Sequence, residues 1–190
     1  MESNRKRRAL VSLLVAFLLA AGAVYTVPRM ELSGLSGCTA EGVAEFNAGC
    51  QEGESCLLAS VHIRWHNRGL LQWMLPYTIE NITVCDMDGH PLEEQPDSLV
   101  YDLATTNIGP GAGLYENRQA LLEDYAGADL KELPASFGSA SRELGALVLV
   151  EQPLTEDAGA WQVKVEYRLL GLLPQSAEGH TLLPGIGEKA

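Results

Sequence analysis

The sequence predicts a mainly β protein: an antiparallel sandwich with one short helix, preceded by a single N-terminal transmembrane helix. Three observations predict it. Residues 9–27 are an apolar run behind a basic leader, several later stretches alternate apolar and polar residues, and clusters of Gly, Pro, Asn and Asp punctuate those stretches.

From Ala9 to Val27 nineteen residues carry no charge. A helix rising about 1.5 Å per residue needs about 20 such residues to cross a hydrocarbon core of about 30 Å. Arg5, Lys6, Arg7 and Arg8 lie before the run and only Arg29 follows closely. The positive-inside bias therefore predicts residues 1–8 as a cytoplasmic leader and 9–27 as a signal anchor in the inner or plasma membrane. Everything after Val27 is then periplasmic or extracellular. Ala21-Gly22-Ala23 is a usable cleavage site and offers the competing outcome, loss of the leader after Ala23. Against it, apolar character continues through Val24, Tyr25, Thr26 and Val27, which a spanning helix needs and a signal peptide does not.

The remainder is long enough for one domain with a real core. The whole chain is net −12, and setting the leader aside leaves nine basic against twenty-four acidic residues, net −15. Such a charge repels phosphates, which speaks against nucleic acid and against anionic lipid surfaces as partners. It suits a basic protein surface, or simply solubility. Cys38, Cys50, Cys56 and Cys85 all fall on the exported side, where an even number predicts two disulfides. Three connectivities are open; the favoured one pairs Cys38 with Cys50, closing a short Gly-containing loop, and Cys56 with Cys85, tying two strands. Spacings without C-x-x-C argue against structural zinc.

Residues 28–55 read as a neck, with one helical turn expected within Ala40 to Gly49. The sandwich is expected over 56–170. In "VHIRWHN", Val61, Ile63 and Trp65 alternate with His62, Arg64 and His66, the period of a half-buried strand. "LLQWMLPYTIENITVCDM" supplies two short strands or one bent strand, with Pro76 confined to an edge or bulge. Asp88-Gly89 is a favoured tight turn. "SLVYDLA" (98–104), the fully apolar "GALVLVEQ" and the alternating "AWQVKVEYRLL" complete the strands. "LYENRQALLEDY" predicts the one helix outside the membrane, with Leu114, Leu121, Leu122 and Tyr125 on one face. Residues 171–190 read as a tail.

"DAGAW", Asp157 to Trp161, resembles the D-x-G-x-Y corner that precedes a late strand in immunoglobulin-like domains, and "IRWHNRG" resembles strand-to-turn passages of bacterial modules of that kind. The resemblance implies an immunoglobulin-like sandwich. Trp161 lacks the corner tyrosine's hydroxyl and Val163 stands where an antibody-type domain has its cysteine, so that family's disulfide is not implied.

Candidate chemistry is sparse. The Gly-rich stretch "NIGPGAG" before the helix lacks the third glycine of a dinucleotide fingerprint, that position being Leu114. "DMDGHPLEE" sets Asp86, Asp88, Glu93 and Glu94 near one another, without the ligand repeat of a calcium loop, and Asp86, Asp88 and His90 are low-ranking candidates for a metal. His62 and His66 on a strand stand about 13 Å apart, too far to share an ion. No nucleophile elbow occurs, so no catalytic residue and no cofactor is expected. Trp73, Met74 and Leu75 form an apolar strip, and Leu182, Leu183 and Ile186 an apolar portion of the tail, both expected to bind a partner. The expectation is a non-catalytic accessory or assembly subunit of a larger membrane complex, engaging other membrane-protein subunits. The alternatives are a ligand- or metal-binding module and an envelope adhesion domain.

Overall fold

The computed structural model describes residues 11–17, 29–33, 46, 56–65, 75–86, 88–106, 108, 113–151 and 161–181. Two antiparallel sheets face one another. The first contains β1 (Met30–Ser33), β2 (Cys56–Trp65), β8 (Glu143–Val150), β4 (Asp97–Asp102) and β6 (Lys131–Glu132) in that spatial order, with β5 (Gly113–Tyr115) beside β2. The second runs β10 (Leu173–Thr181), β9 (Trp161–Leu169), β3 (Tyr77–Cys85) and β7 (Ala135–Phe137).

Alternation decides what lies between the sheets. Ala59, Val61 and Ile63 of β2 face Val163, Val165 and Tyr167 of β9, and Leu144, Ala146, Val148 and Val150 of β8 complete the layer. In β3 the buried residues facing the other sheet are Tyr77, Ile79, Ile82 and Val84, and Cys85 is buried at the strand's end. The step of three between Ile79 and Ile82 is accommodated by an irregularity between Ile79 and Asn81, which resets the phase so that both halves of one bent strand bury their apolar side.

The first sheet is covered on both faces. Leu58, Leu99, Leu147 and Leu149 point away from the second sheet and pack under Leu121 and Tyr125 of a single helix, α1 (Arg118–Asp124), and its C-terminal turn. That double burial explains why β8 is apolar at successive positions: every residue from Leu144 to Val150 is buried. In the row where Tyr101, Gly145 and His62 oppose one another, a Cβ on Gly145 would lie 2.3 Å from Tyr101 Cζ. Glycine on the central strand is thus the space in which the Tyr101 ring lies.

Three expectations change here. α1 begins only at Arg118, capped by the Asn117 side chain accepting from the Ala120 amide, because Leu114 is drawn into β5 by pairing with Leu57. Residues 173–181, expected in the tail, form β10 along the whole of β9, and Met30–Ser33 of the expected neck form β1. Residues 11–17 are helical with Val11, Leu13, Leu14, Val15 and Phe17 exposed, yet no helix among the described residues is long and apolar enough to cross a membrane. The rest of the expected span lies outside the described residues.

Candidate functional site

Strand direction gives the sandwich two distinct ends. Met30, Trp65, Tyr77, Phe137, Glu143 and Leu169 fall at one, which the chain enters from residues 1–28; Cys56, Cys85, Asp97 and Val150 fall at the other. The sites expected from the sequence divide between these ends.

At the far end Asp86 opens the turn between β3 and β4. Its Oδ1 accepts from the Asp88 amide at 2.9 Å and the His90 amide at 2.8 Å, while Oδ2 stands 3.5 Å from His90 Nδ1. The His90 amide, and after it the Asp88 amide, hold the Asp86 carboxyl below the ordinary carboxylate range. Gly89, at φ +83°, makes the expected tight turn. Ligand atoms of Asp86, Asp88 and His90 lie within 4.8 Å of one another. Chemically, one Asp86 oxygen already closes the turn. Around it Glu93, Glu94, Asp97, Glu116 and Glu151 make this end acidic, with Arg118 bridging Asp97 and Glu151.

Cys85 also lies there, with a buried free thiol whose pKa burial and, secondarily, the Asp86 charge raise. The two-bridge expectation is therefore corrected. β3 pairs with β9 and β7 while β2 belongs to the other sheet, so Cys56 and Cys85 do not join neighbouring strands. Cys38 and Cys50 lie outside the described residues.

At the entry end aromatic rings lock the two sheets. Trp65 meets Tyr77 edge-on at 5.0 Å and Tyr167 at 5.9 Å, and Tyr77 stacks on Phe137 at 5.6 Å. Tyr77 Oη donates to the Ser141 carbonyl at 2.9 Å, and Ser141 Oγ donates to Asp102, whose other oxygen caps the Leu103–Thr105 turn. The Met30 amide donates to Tyr167 Oη at 3.0 Å, fixing the first strand to the opposite sheet. Burial raises the pKa of Tyr77 and of Tyr167.

Leu75 of the expected partner strip is half-buried just before β3, whereas Trp73, Met74, Leu182, Leu183 and Ile186 lie outside the described residues. The exposed apolar group that sequence reasoning missed is Leu170, Leu172 and Leu173, in the β9–β10 hairpin. Its signal was present: a glycine between two leucine pairs, joining runs of strand character, is a two-residue hairpin. The Gly-rich stretch before position 113 leads into β5 and not into a helix N-terminus, so it lacks the strand-to-helix passage that dinucleotide binding requires. His62 stands on the outer face of the first sheet, 3.6 Å from Glu143.

The class defined by this architecture is a mainly β protein of two facing antiparallel sheets. Comparison with protein-family models, with curated proteins and with solved structures finds no match to this chain.

Proposed function

We propose that the chain is a membrane-anchored, extracytoplasmic, non-catalytic accessory subunit: an immunoglobulin-like sandwich tethered by residues 9–27 and presenting its acidic far end to a basic surface of another membrane-protein subunit. The observation that carries the reading is the entry of the chain. Only Pro28 and Arg29 separate the apolar run from β1, and β1 is paired with β2 and bonded to Tyr167. A tether joined this directly transmits the orientation of the domain relative to the membrane, which a presenting subunit needs. The immunoglobulin-like reading is supported by strand order. β1-β2-β8-β4 and β10-β9-β3 follow the A-B-E-D and G-F-C arrangement, and Trp161, the last residue of "DAGAW", opens β9 in the F position. The segment from β5 to β7 is the departure, an insertion between D and E.

The test is purification of the full chain in mild detergent, with mass spectrometry of its N-terminus and of what accompanies it. An intact leader with a stoichiometric membrane-protein companion, released when Asp86, Asp88, Glu93 and Glu94 are made neutral, supports the reading. A lone monomer beginning at Val24 overturns it. A metal-binding module is the second reading, favoured by the proximity of Asp86, Asp88 and His90; metal analysis of the purified protein, with stoichiometric copper, zinc or calcium, would establish it in place of the scaffold.

A further inference from the structure

The hairpin joining β9 to β10 displays leucines in a conformation that disfavours them. Leu170 has φ +53° and Gly171 φ +68°, and the Leu172 amide bonds the Leu169 carbonyl at 2.9 Å, a two-residue turn with both central residues left-handed. Asn or Asp is the residue such a turn favours before glycine, because a branched side chain there crowds its own backbone. Leucine holds the place instead, and Leu170, Leu172 and Leu173 are 46%, 78% and 48% exposed. A local rule broken in favour of exposed apolar surface points to something that surface meets.

Chain geometry says what lies there. From Val27 to Met30 is three residues, a reach of about 10 Å at full extension. Met30 is fastened to Tyr167, which stands opposite Gln175, and from that level the hairpin runs about three residues, roughly 10 Å, further toward the same end. With residues 9–27 in the membrane, a tether that short keeps the start of β1 within reach of the bilayer surface and brings the hairpin tip to its level. Charge permits this. Arg29, Arg64, Arg142 and Arg168 are placed at this end together with Glu31, 3.5 Å from Arg64, Glu80, 3.4 Å from Arg168, and Asp102 and Glu143, so the charges here are mixed and the strong negative charge of the domain as a whole is not concentrated on this surface.

We propose that the β9–β10 hairpin inserts Leu170, Leu172 and Leu173 into the headgroup and upper acyl layer of the bilayer that holds the N-terminal segment, so that the domain stands on the membrane with its acidic end outward. This deepens the anchored reading and rests on it. Insertion of this kind buries apolar side chains about 5–10 Å into the boundary layer while arginines remain among the headgroups.

The test reconstitutes the full chain carrying Leu172→Trp, alone, in vesicles of phosphatidylcholine and phosphatidylglycerol with bromine at shallow or deep acyl positions. The emission added by L172W over the parent chain is expected to fall by about half with shallow bromines and less with deep ones. A full chain carrying Glu94→Trp at the far end is expected to keep its added emission. If the chain floats with the vesicles while L172W is unquenched, the hairpin proposal is overturned and the anchored reading survives. Failure to float overturns both, and equal quenching of the two tryptophans overturns the proposed orientation.

Discussion

The two ends of this sandwich close the same pair of sheets by different means. At the entry end Trp65, Tyr77, Phe137 and Tyr167 interlock across the interface, and a chain of hydrogen bonds through Ser141 and Asp102 ties one sheet to the other. At the far end closure is local: Asp86 gathers the amides of its own turn, and Gln95 caps β3 by bonding the Val84 amide and carbonyl at 2.8 and 3.0 Å. Cross-sheet aromatic contacts make an end stiff because they bury large areas between distant parts of the chain. Turn hydrogen bonds fix only the residues that make them. The aromatic end is the one at which β1 begins; the end held by local bonds is the one that carries the Asp86–Asp88 turn.

The strongest way to break this contrast is Tyr77→Ala, which removes the ring between Trp65 and Phe137 together with its bond to Ser141. We expect a loss of about 3–5 kcal/mol in urea unfolding, against about 1 kcal/mol for Tyr77→Phe, which deletes only the hydroxyl. A Tyr77→Ala loss no larger than that of Tyr77→Phe would show that the ring does not lock the sheets. Next is Gly145→Ala on the entry half of β8. Its Cβ meets the Tyr101 ring, and destabilisation of about 1–3 kcal/mol is expected, read by the shift in the urea midpoint at constant m-value.

Leu170→Asn sharpens the contrast in the opposite direction. Asparagine fits the left-handed position better than leucine, so thermal unfolding should show a gain of up to about 1 kcal/mol. A loss instead would mean that Leu170 is a structural residue and not a displayed one. The smallest effect is expected at the acidic turn. The folded-state pKa of Asp86 is depressed, so its contribution is fully present above the ordinary aspartate range and is lost as pH falls through the depressed value. Asp86→Asn should therefore lower Tm slightly at neutral pH, with the gap from the parent closing as acid protonates the native carboxyl. A gap that persists at low pH would assign the effect to the shape of the side chain and not to its charge.

Much of the architecture was legible because alternation maps directly onto burial in a two-sheet core. Val61, Ile63, Val163 and Val165 needed nothing beyond their period to be placed. The tail reads as irregular because β10 has little apolar character of its own: from Leu173 to Gly179 only Ala177 enters the core, and the strand exists because β9 offers it a complete ladder. Leu114 fits a helical face as well as a strand, and the open edge of β2 decides for the strand, so the helix starts later than its periodicity predicts. Asp86, Asp88 and His90 lie close in space because a tight turn keeps near neighbours near.

By itself the sequence determined the β class, the Asp88-Gly89 turn and the apolar run that precedes the domain, all properties set by local chemistry and short-range period. Only the tertiary structure decided that Cys85 stays a free thiol, that Gly145 makes room for Tyr101, and that the leucine hairpin shares an end with the start of β1. Those depend on which strands become neighbours and in which direction they run, and that is settled by the combined burial of residues far apart in the chain.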